Sequence, residues 1–336
     1  MLHLSVLDQS VAGVGKSHGQ TIRDTVAMAE LCESLGYKRF WVSEHHSHPT
    51  IVGTAPEILL AGIAMRTNRI RLGSAGVMLP HYAPLKVAEQ FRVLEAFAPG
   101  RIDLGLGRAP GTDGRTSLAL NPAAAERPAE FPNDVQDLAA WVSGQPLPEG
   151  HPFAAVQANP QGETSPEIWM LGSSLYGAQV AAHFGLPYSF AWFFTEGQGG
   201  PEAIQIYRDR YQPSERFPEP CPGICVWALA AETEEEAHYH FASRARWQLY
   251  RDRGRYTALE SAETAVGAAY SESETARMEQ LRQTAMVGTP DIVAERIRAL
   301  ATRLDIEEIA VVTWAHDEGV RRRSYELLAK EFGMAG

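Results

Sequence analysis

The chain has few cysteines, little positive charge and no long apolar run, and each shortage excludes a class of protein. Cys32, Cys221 and Cys225 are its only cysteines in 336 residues, too few for an extensive disulfide framework. Three residues separate Cys221 from Cys225, one more than in a thioredoxin-type pair, and no second pair accompanies them to hold zinc. Cys32 sits within a helical pattern and reads as a small buried apolar residue. No stretch approaches the roughly 20 apolar residues needed to cross a bilayer. The N-terminal MLHLSVLDQS lacks the basic segment, apolar core and cleavage site of a signal peptide. A cytoplasmic protein is therefore expected. With 30 basic against 41 acidic residues, a formal charge of −11, neither nucleic acid nor an anionic membrane is an expected partner. A phosphate-bearing small ligand remains compatible, because one arginine and a few helix amides act locally.

Several catalytic signatures are missing too. Gly13-Val14-Gly15-Lys16-Ser17 resembles the end of a phosphate loop, but Ser10 stands where the first glycine is required. No GxGxxG follows the first apolar run, which weakens a dinucleotide-binding sheet. Ser10, Ser74 and Ser173 lack the glycine frame of a nucleophile elbow. The histidines near residue 45 do not form HExxH, so a zinc hydrolase is disfavoured.

What is present is a repeated alternation of short apolar runs and helical patterns. Strands are expected at Leu2–Leu7, Phe40–Val42, Ile70–Ala75, Ile102–Gly105, Ile168–Leu171, Leu186–Trp192, Ile224–Leu229 and Ile309–Thr313. Helices are expected at Thr21–Leu35, Pro56–Met65, Leu85–Phe97, Glu130–Val142, Leu175–His183, Pro201–Tyr211, Glu234–Leu249 and Val320–Phe332, with another beginning at Thr289-Pro290. Gly36 and Gly100 are suited to end helices. The count approaches eight units, predicting an α/β fold of the closed (β/α)8 barrel type in one domain over 1–336. Residues 251–286 break the rhythm and read as a lid or a helical insertion over the site.

Candidate site residues fall where strands finish, the side on which parallel α/β folds build their sites. Glu44, His45, His46 and His48 follow the second strand. An imidazole there can accept a proton, and its cation can stabilise negative charge, although a merely hydrogen-bonded strand exit explains the cluster as well. Gly73-Ser74-Ala75-Gly76 leaves room for a flat ligand against backbone. Gly105–Gly111 exposes amides beside Arg108, which can make two charge-assisted bonds to a phosphate, although a surface turn with an exposed arginine explains the pattern as well. Gly172, Ser173 and Ser174 join a strand to a helix, where hydroxyls and helix-start amides can take a phosphate, or one serine can simply cap the helix. Ala191-Trp192-Phe193-Phe194 offers either an apolar pocket wall or core packing.

Three long passages, RFWVSEHHSHP, GSAGVMLPHYAPLKVAEQFRVLEAFAPGRIDLGLGRAPGTD and IWMLGSSLYGAQVAAHFGLPYSFAWFF, closely resemble the bacterial luciferase-like, flavin-dependent monooxygenases. The similarity extends from the first strand to RRRSYELLA near the C-terminus. The resemblance implies a (β/α)8 barrel that binds reduced FMN at the strand ends. It also implies molecular oxygen and a small organic substrate as co-reactants, and a separate NAD(P)H-dependent flavin reductase as a possible partner. A homodimer is expected. The deazaflavin F420 is the alternative cofactor, with hydride transfer in place of oxygenation, and a non-catalytic flavin-binding protein is a further alternative. By local pattern, His45 matches the family's active-site histidine, which positions substrate or hydrogen-bonds the oxygenated flavin, with His46 in support. Ala75-Gly76 matches a non-prolyl cis peptide beneath the flavin, with glycine replacing the second alanine of the luciferases. Arg108 matches a phosphate-binding arginine, and Gly172, Ser173 and Ser174 match a flavin- or phosphate-contacting turn.

Overall fold

Strands buried on both faces read as near-continuous apolar runs, and the eight such runs here form a closed parallel barrel. The computed structural model describes residues 2–124 and 127–334; Met1, Ala125, Glu126, Ala335 and Gly336 of the expected 1–336 unit lie outside them. The barrel strands are β1 (His3–Asp8), β2 (Arg39–Val42), β3 (Arg71–Ser74), β4 (Ile102–Gly107), β5 (Glu167–Gly172), β6 (Tyr188–Phe190), β7 (Pro222–Ala230) and β8 (Glu308–Val312). Each pairs in parallel with its sequence neighbours, and β8 closes the ring on β1 with Leu4 opposite Ile309. Two short strands, Val77–Met78 and Met286–Gly288, pair with the last residues of β4 and β7.

Side chains alternate across each strand, and two cores result. Outward residues such as Phe40, Leu72, Leu104, Ile168, Val226 and Val311 pack under the surrounding helices. Inward residues stack in layers along the barrel axis. At the N-terminal end Arg39 bonds both Asp103 (2.8 Å) and Glu308 (2.8 Å), and Arg71 joins Asp103 (2.6 Å) to Glu167 (3.0 Å). Burial opposes the charge on Glu308, but Arg39 and Lys38 outweigh it and hold its pKa below the ordinary glutamate value. Above this plug Trp41 donates its indole N–H to Asp103 (2.9 Å) and meets Trp169 edge-on at 5.1 Å. The ion layer and the tryptophan layer close the barrel from below, so any ligand must enter from the C-terminal end.

Local chemistry sets the helix boundaries. Ser17 caps its helix by accepting from the Gln20 amide (3.1 Å), and Pro56 and Pro84 each occupy a first turn. Gly36 and Gly100 take φ of 83° and 74° where the chain turns back to β2 and β4. The expected strand Leu186–Trp192 is shorter than its apolar run: β6 ends at Phe190 and Trp192–Thr195 forms a helical turn. The excursion after β4 also gains a helix, Gly114–Leu120, capped by Asp113.

Residues 251–286 contain two helices, Ala262–Val266 and Glu272–Thr284. They pack on the long helix Glu234–Asp252. Leu259 ties the segment to the β1 exit through backbone bonds with Ala12 (3.0 Å) and Val14 (2.8 Å). No helix among the described residues is long and apolar enough to cross a membrane.

Candidate active site

The C-terminal ends of the strands surround a cavity of about 1040 Å³. Ligand cavities run from roughly 300 to 1,000 Å³, so this one has room for a cofactor and a substrate together. His45, His46, Ala75, Gly76, Arg108, Gly172, Ser173 and Ser174 all line it.

The β2 exit is organised by Glu44, which is buried. Its carboxylate accepts from the Tyr82 hydroxyl (2.7 Å) and the Met78 amide (3.1 Å), and pairs with His46 Nε2 (2.7 Å). Burial, then Glu44, drives the Tyr82 pKa up, so the phenol remains a donor. His46 is thus fastened, and its Nε2 is already committed to the protein. His45 differs: its Nδ1 is buried with no partner among the described residues. Burial first, then His48 and His46, pushes its pKa down to about 4. A neutral imidazole follows at physiological pH, not the cation that the sequence also allowed. His48 is turned to its own loop, where Nδ1 accepts from the Thr50 (3.1 Å) and Ile51 (3.0 Å) amides.

At the β3 exit the Ala75–Gly76 peptide is cis. A Cβ on Gly76 would lie 2.9 Å from the backbone of Gly105 and Leu106, so bare backbone is required for β3 and β4 to approach each other. The loop after β4 is braced by His81 Nε2 against the Pro110 carbonyl (2.8 Å) and by the Thr112 hydroxyl donating to the His46 carbonyl (2.8 Å). From this loop the exposed Arg108 guanidinium lies 4.0 Å over the Tyr176 ring, with no carboxylate partner among the described residues.

The β5 exit holds the most telling geometry. Ser174 occupies the cap of helix Leu175–Phe184, yet its hydroxyl makes no capping bond. The first-turn amides are left without that side-chain acceptor, contrary to the simple capping role open to this serine in the sequence. A Cβ on Gly172 would meet nothing within 4 Å. Protein packing therefore does not demand glycine at this cavity-lining position. Of the aromatic run, Phe193 and Phe194 line the cavity, whereas Trp192 packs on the outer core.

Sequence patterns gave no hint of the far wall. Trp227 on β7, Trp247 and Arg244 on helix Glu234–Asp252, and Trp314 after β8 meet there. Trp314 donates its indole N–H to Gln9 (3.0 Å). Tyr82, 38 residues along the chain from Glu44, is the other side chain at these strand exits that sequence patterns did not mark.

Residues 2–305 match the family of luciferase-like monooxygenases, and the chain belongs to that family. Among relatives, the uncharacterized protein YwcH of Bacillus subtilis (strain 168) is 41% identical over 333 residues, covering 99% of both chains. The N-acetyl-S-alkylcysteine monooxygenase of the same organism is 37% identical, covering 98% of each. The crystal structure of apo-MsnO8 superposes with a TM-score of 0.89 at 34% identity, covering 99% of both chains.

Proposed function

We propose that the chain is an FMN-dependent monooxygenase that uses reduced flavin and molecular oxygen on a small organic substrate. The observation that carries this reading is the β5 exit, where an unforced glycine and an uncapped helix start face the same cavity as an unpaired arginine. Arg108, Ser173 and Ser174 would hold the phosphate, with the helix-start amides adding donors. Ala75, Gly76 and Gly172 would leave flat space for the ring. The His45 ring lines the cavity, and Glu44 holds His46 and Tyr82 in place beside it. These residues fit a phosphorylated flavin.

Bound reduced FMN would supply two electrons, so that one atom of molecular oxygen enters the substrate and the other leaves as water. The chain's own part is to bind, orient and exclude water. His45, neutral and partly enclosed, would orient a ligand by a hydrogen bond at its ring without adding charge. The segment 251–286 acts as the cover on the cavity, since Tyr256 lines it and the backbone ties at Leu259 hold the segment down. In this reading residues 1–336 form one domain, and a separate NAD(P)H-dependent reductase delivers the reduced flavin.

A homodimer is supported by an exposed apolar stripe on the neighbouring helices Pro56–Ala64 and Pro84–Phe97. Ile58, Met65 at the end of the first helix, Val93 and Phe97 are 71%, 70%, 43% and 51% exposed on two helices in contact, and clustered exposed apolar side chains favour association. The three free cysteines agree with a reducing, cytoplasmic compartment.

The test is anaerobic loading with reduced FMN or reduced F420, followed by labelled oxygen and a substrate panel. Label in the product with FMN alone supports the proposal. Turnover confined to F420 would assign hydride transfer instead, and flavin binding without substrate-dependent oxygen incorporation would make the chain a flavin carrier.

A further inference from the structure

The cavity's far wall contains a buried cation that the proposed flavin site does not use. Arg244 is only 9% exposed. Its guanidinium sits 5.1 Å from the ring of Trp247, 5.3 Å from Trp314 and 5.8 Å from Trp227. One N–H group, on Nη1, donates to Gln248 Oε1 (2.6 Å), and no carboxylate among the described residues pairs with it. The nearby acids are engaged elsewhere: Asp252 accepts from Gln248 (2.7 Å) and Arg277 (3.0 Å), and Glu196 pairs with Arg277 (2.6 Å). Burial first, then Arg251, pushes the Arg244 pKa down to about 9, leaving a charged group poorly compensated by its surroundings. Buried charges are normally paired. A cation whose remaining donors are unspent at a ligand cavity calls for an anionic partner from the ligand.

Position separates this cation from the phosphate site. Arg108 follows β4 and Trp314 follows β8, strands four places apart in the eight-membered ring and so opposite each other across the barrel mouth. A guanidinium presents a planar fork matched to a carboxylate, and the indole faces around it suit an apolar body.

We propose that Arg244 receives the carboxylate of an amphiphilic organic substrate whose apolar part lies against Trp227, Trp247 and Trp314. This deepens the monooxygenase reading by naming the substrate class, and it rests on that reading for calling the ligand a substrate. Arg244 is then a specificity-determining residue, and neutral analogues of the same shape are discriminated against because they leave the buried cation unpaired.

The test is calorimetric titration of octanoate and of octanamide into the purified chain near neutral pH, with and without saturating FMN. Octanoate is expected to bind roughly ten- to a hundred-fold more tightly than the amide, the range of a charge-assisted bond. In Arg244→Gln that preference falls to within about two-fold, with FMN affinity unchanged. Arg244→Lys keeps part of the preference, since it retains charge without the fork. Equal binding of acid and amide, absence of octanoate binding, or a preference that survives Arg244→Gln would overturn the proposal. So would loss of FMN affinity in that variant, which would assign the cation to the flavin. If Arg244→Gln does not fold, the acid–amide comparison in the unaltered chain and Arg244→Lys decide. Failure of the unaltered chain to bind FMN would remove the flavin reading alone, because the octanoate preference is measured separately in its absence.

Discussion

Replacing Arg108 with alanine should separate phosphate recognition from recognition of the flavin ring. The guanidinium is solvent-exposed, lies over Tyr176 at 4.0 Å and makes no ion pair among the described residues. Its removal should therefore leave stability within about 0.5 kcal/mol of the parent. Bonds to charged groups contribute about 1.5–3 kcal/mol. At an exposed rim, where solvent screens the charge, the lower end applies. A loss of about 1.5 kcal/mol is roughly a ten-fold rise in the FMN dissociation constant. Ser173, Ser174 and the helix start would retain the residual affinity. Riboflavin, which has no phosphate, should bind the variant within about two-fold of the parent. Fluorescence titration with both flavins at low and moderate salt measures the two constants, and the difference should shrink as salt rises. Arg108→Lys should fall between, because it keeps the charge but not the two parallel bonds. Equal losses of FMN and riboflavin would refute the phosphate contact.

Other substitutions probe the remaining geometry. Gly172→Val would add a side chain in open space at the cavity lining, so FMN should bind at least about ten-fold more weakly while the thermal midpoint stays within about 2 °C; a stability loss without a binding loss contradicts the assignment. His45 has a folded pKa near 4 against an ordinary 6.5, so its contribution is fully present above pH 6.5 and is lost as pH falls toward 4. Up to about 3 kcal/mol of acid sensitivity should disappear in His45→Asn, and parallel urea-unfolding profiles for parent and variant across that window would remove the claim. Arg39→Ala leaves Asp103 and Glu308 buried without their shared cation; denaturant unfolding should show a loss of about 3–5 kcal/mol, whereas a loss below about 1 kcal/mol would mean that the plug is not the barrel's anchor. Ile58→Glu should shift the sedimentation coefficient toward a monomer, and an unchanged value would move the proposed dimer contact elsewhere.

The barrel was legible because its strands are buried on both sides. Runs such as Phe40–Val42 and Ile102–Gly105 carry that burial as local composition, and Gly36 and Gly100 mark the returns between helix and strand. The strand exits were legible for the same reason, since a residue just past an apolar run must lie at the barrel's mouth. Other features depend on tertiary placement. Trp192 continues the apolar run of β6, but the chain turns into a short helix after Phe190 and directs it to the outer core. Ser174 has the residue type and position of a helix cap, and only its hydrogen bonding distinguishes an unused hydroxyl from a capping one. Arg244 lies in EEEAHYHFASRARWQLYRD, whose charges suggest a solvated helix. The one local cue is Trp247 three residues on, placing a large aromatic on the same face; the cation's burial follows from how that helix crosses the cavity.

A crystal structure of the chain with bound FMN tests the central claim most directly. The account predicts the phosphate within hydrogen-bonding distance of Arg108 and the Ser173–Ser174 turn, the ring beside Ala75, Gly76 and Gly172, and open space left between the ring and Arg244. A flavin whose phosphate is held by Arg244, or one bound outside this cavity, would contradict it.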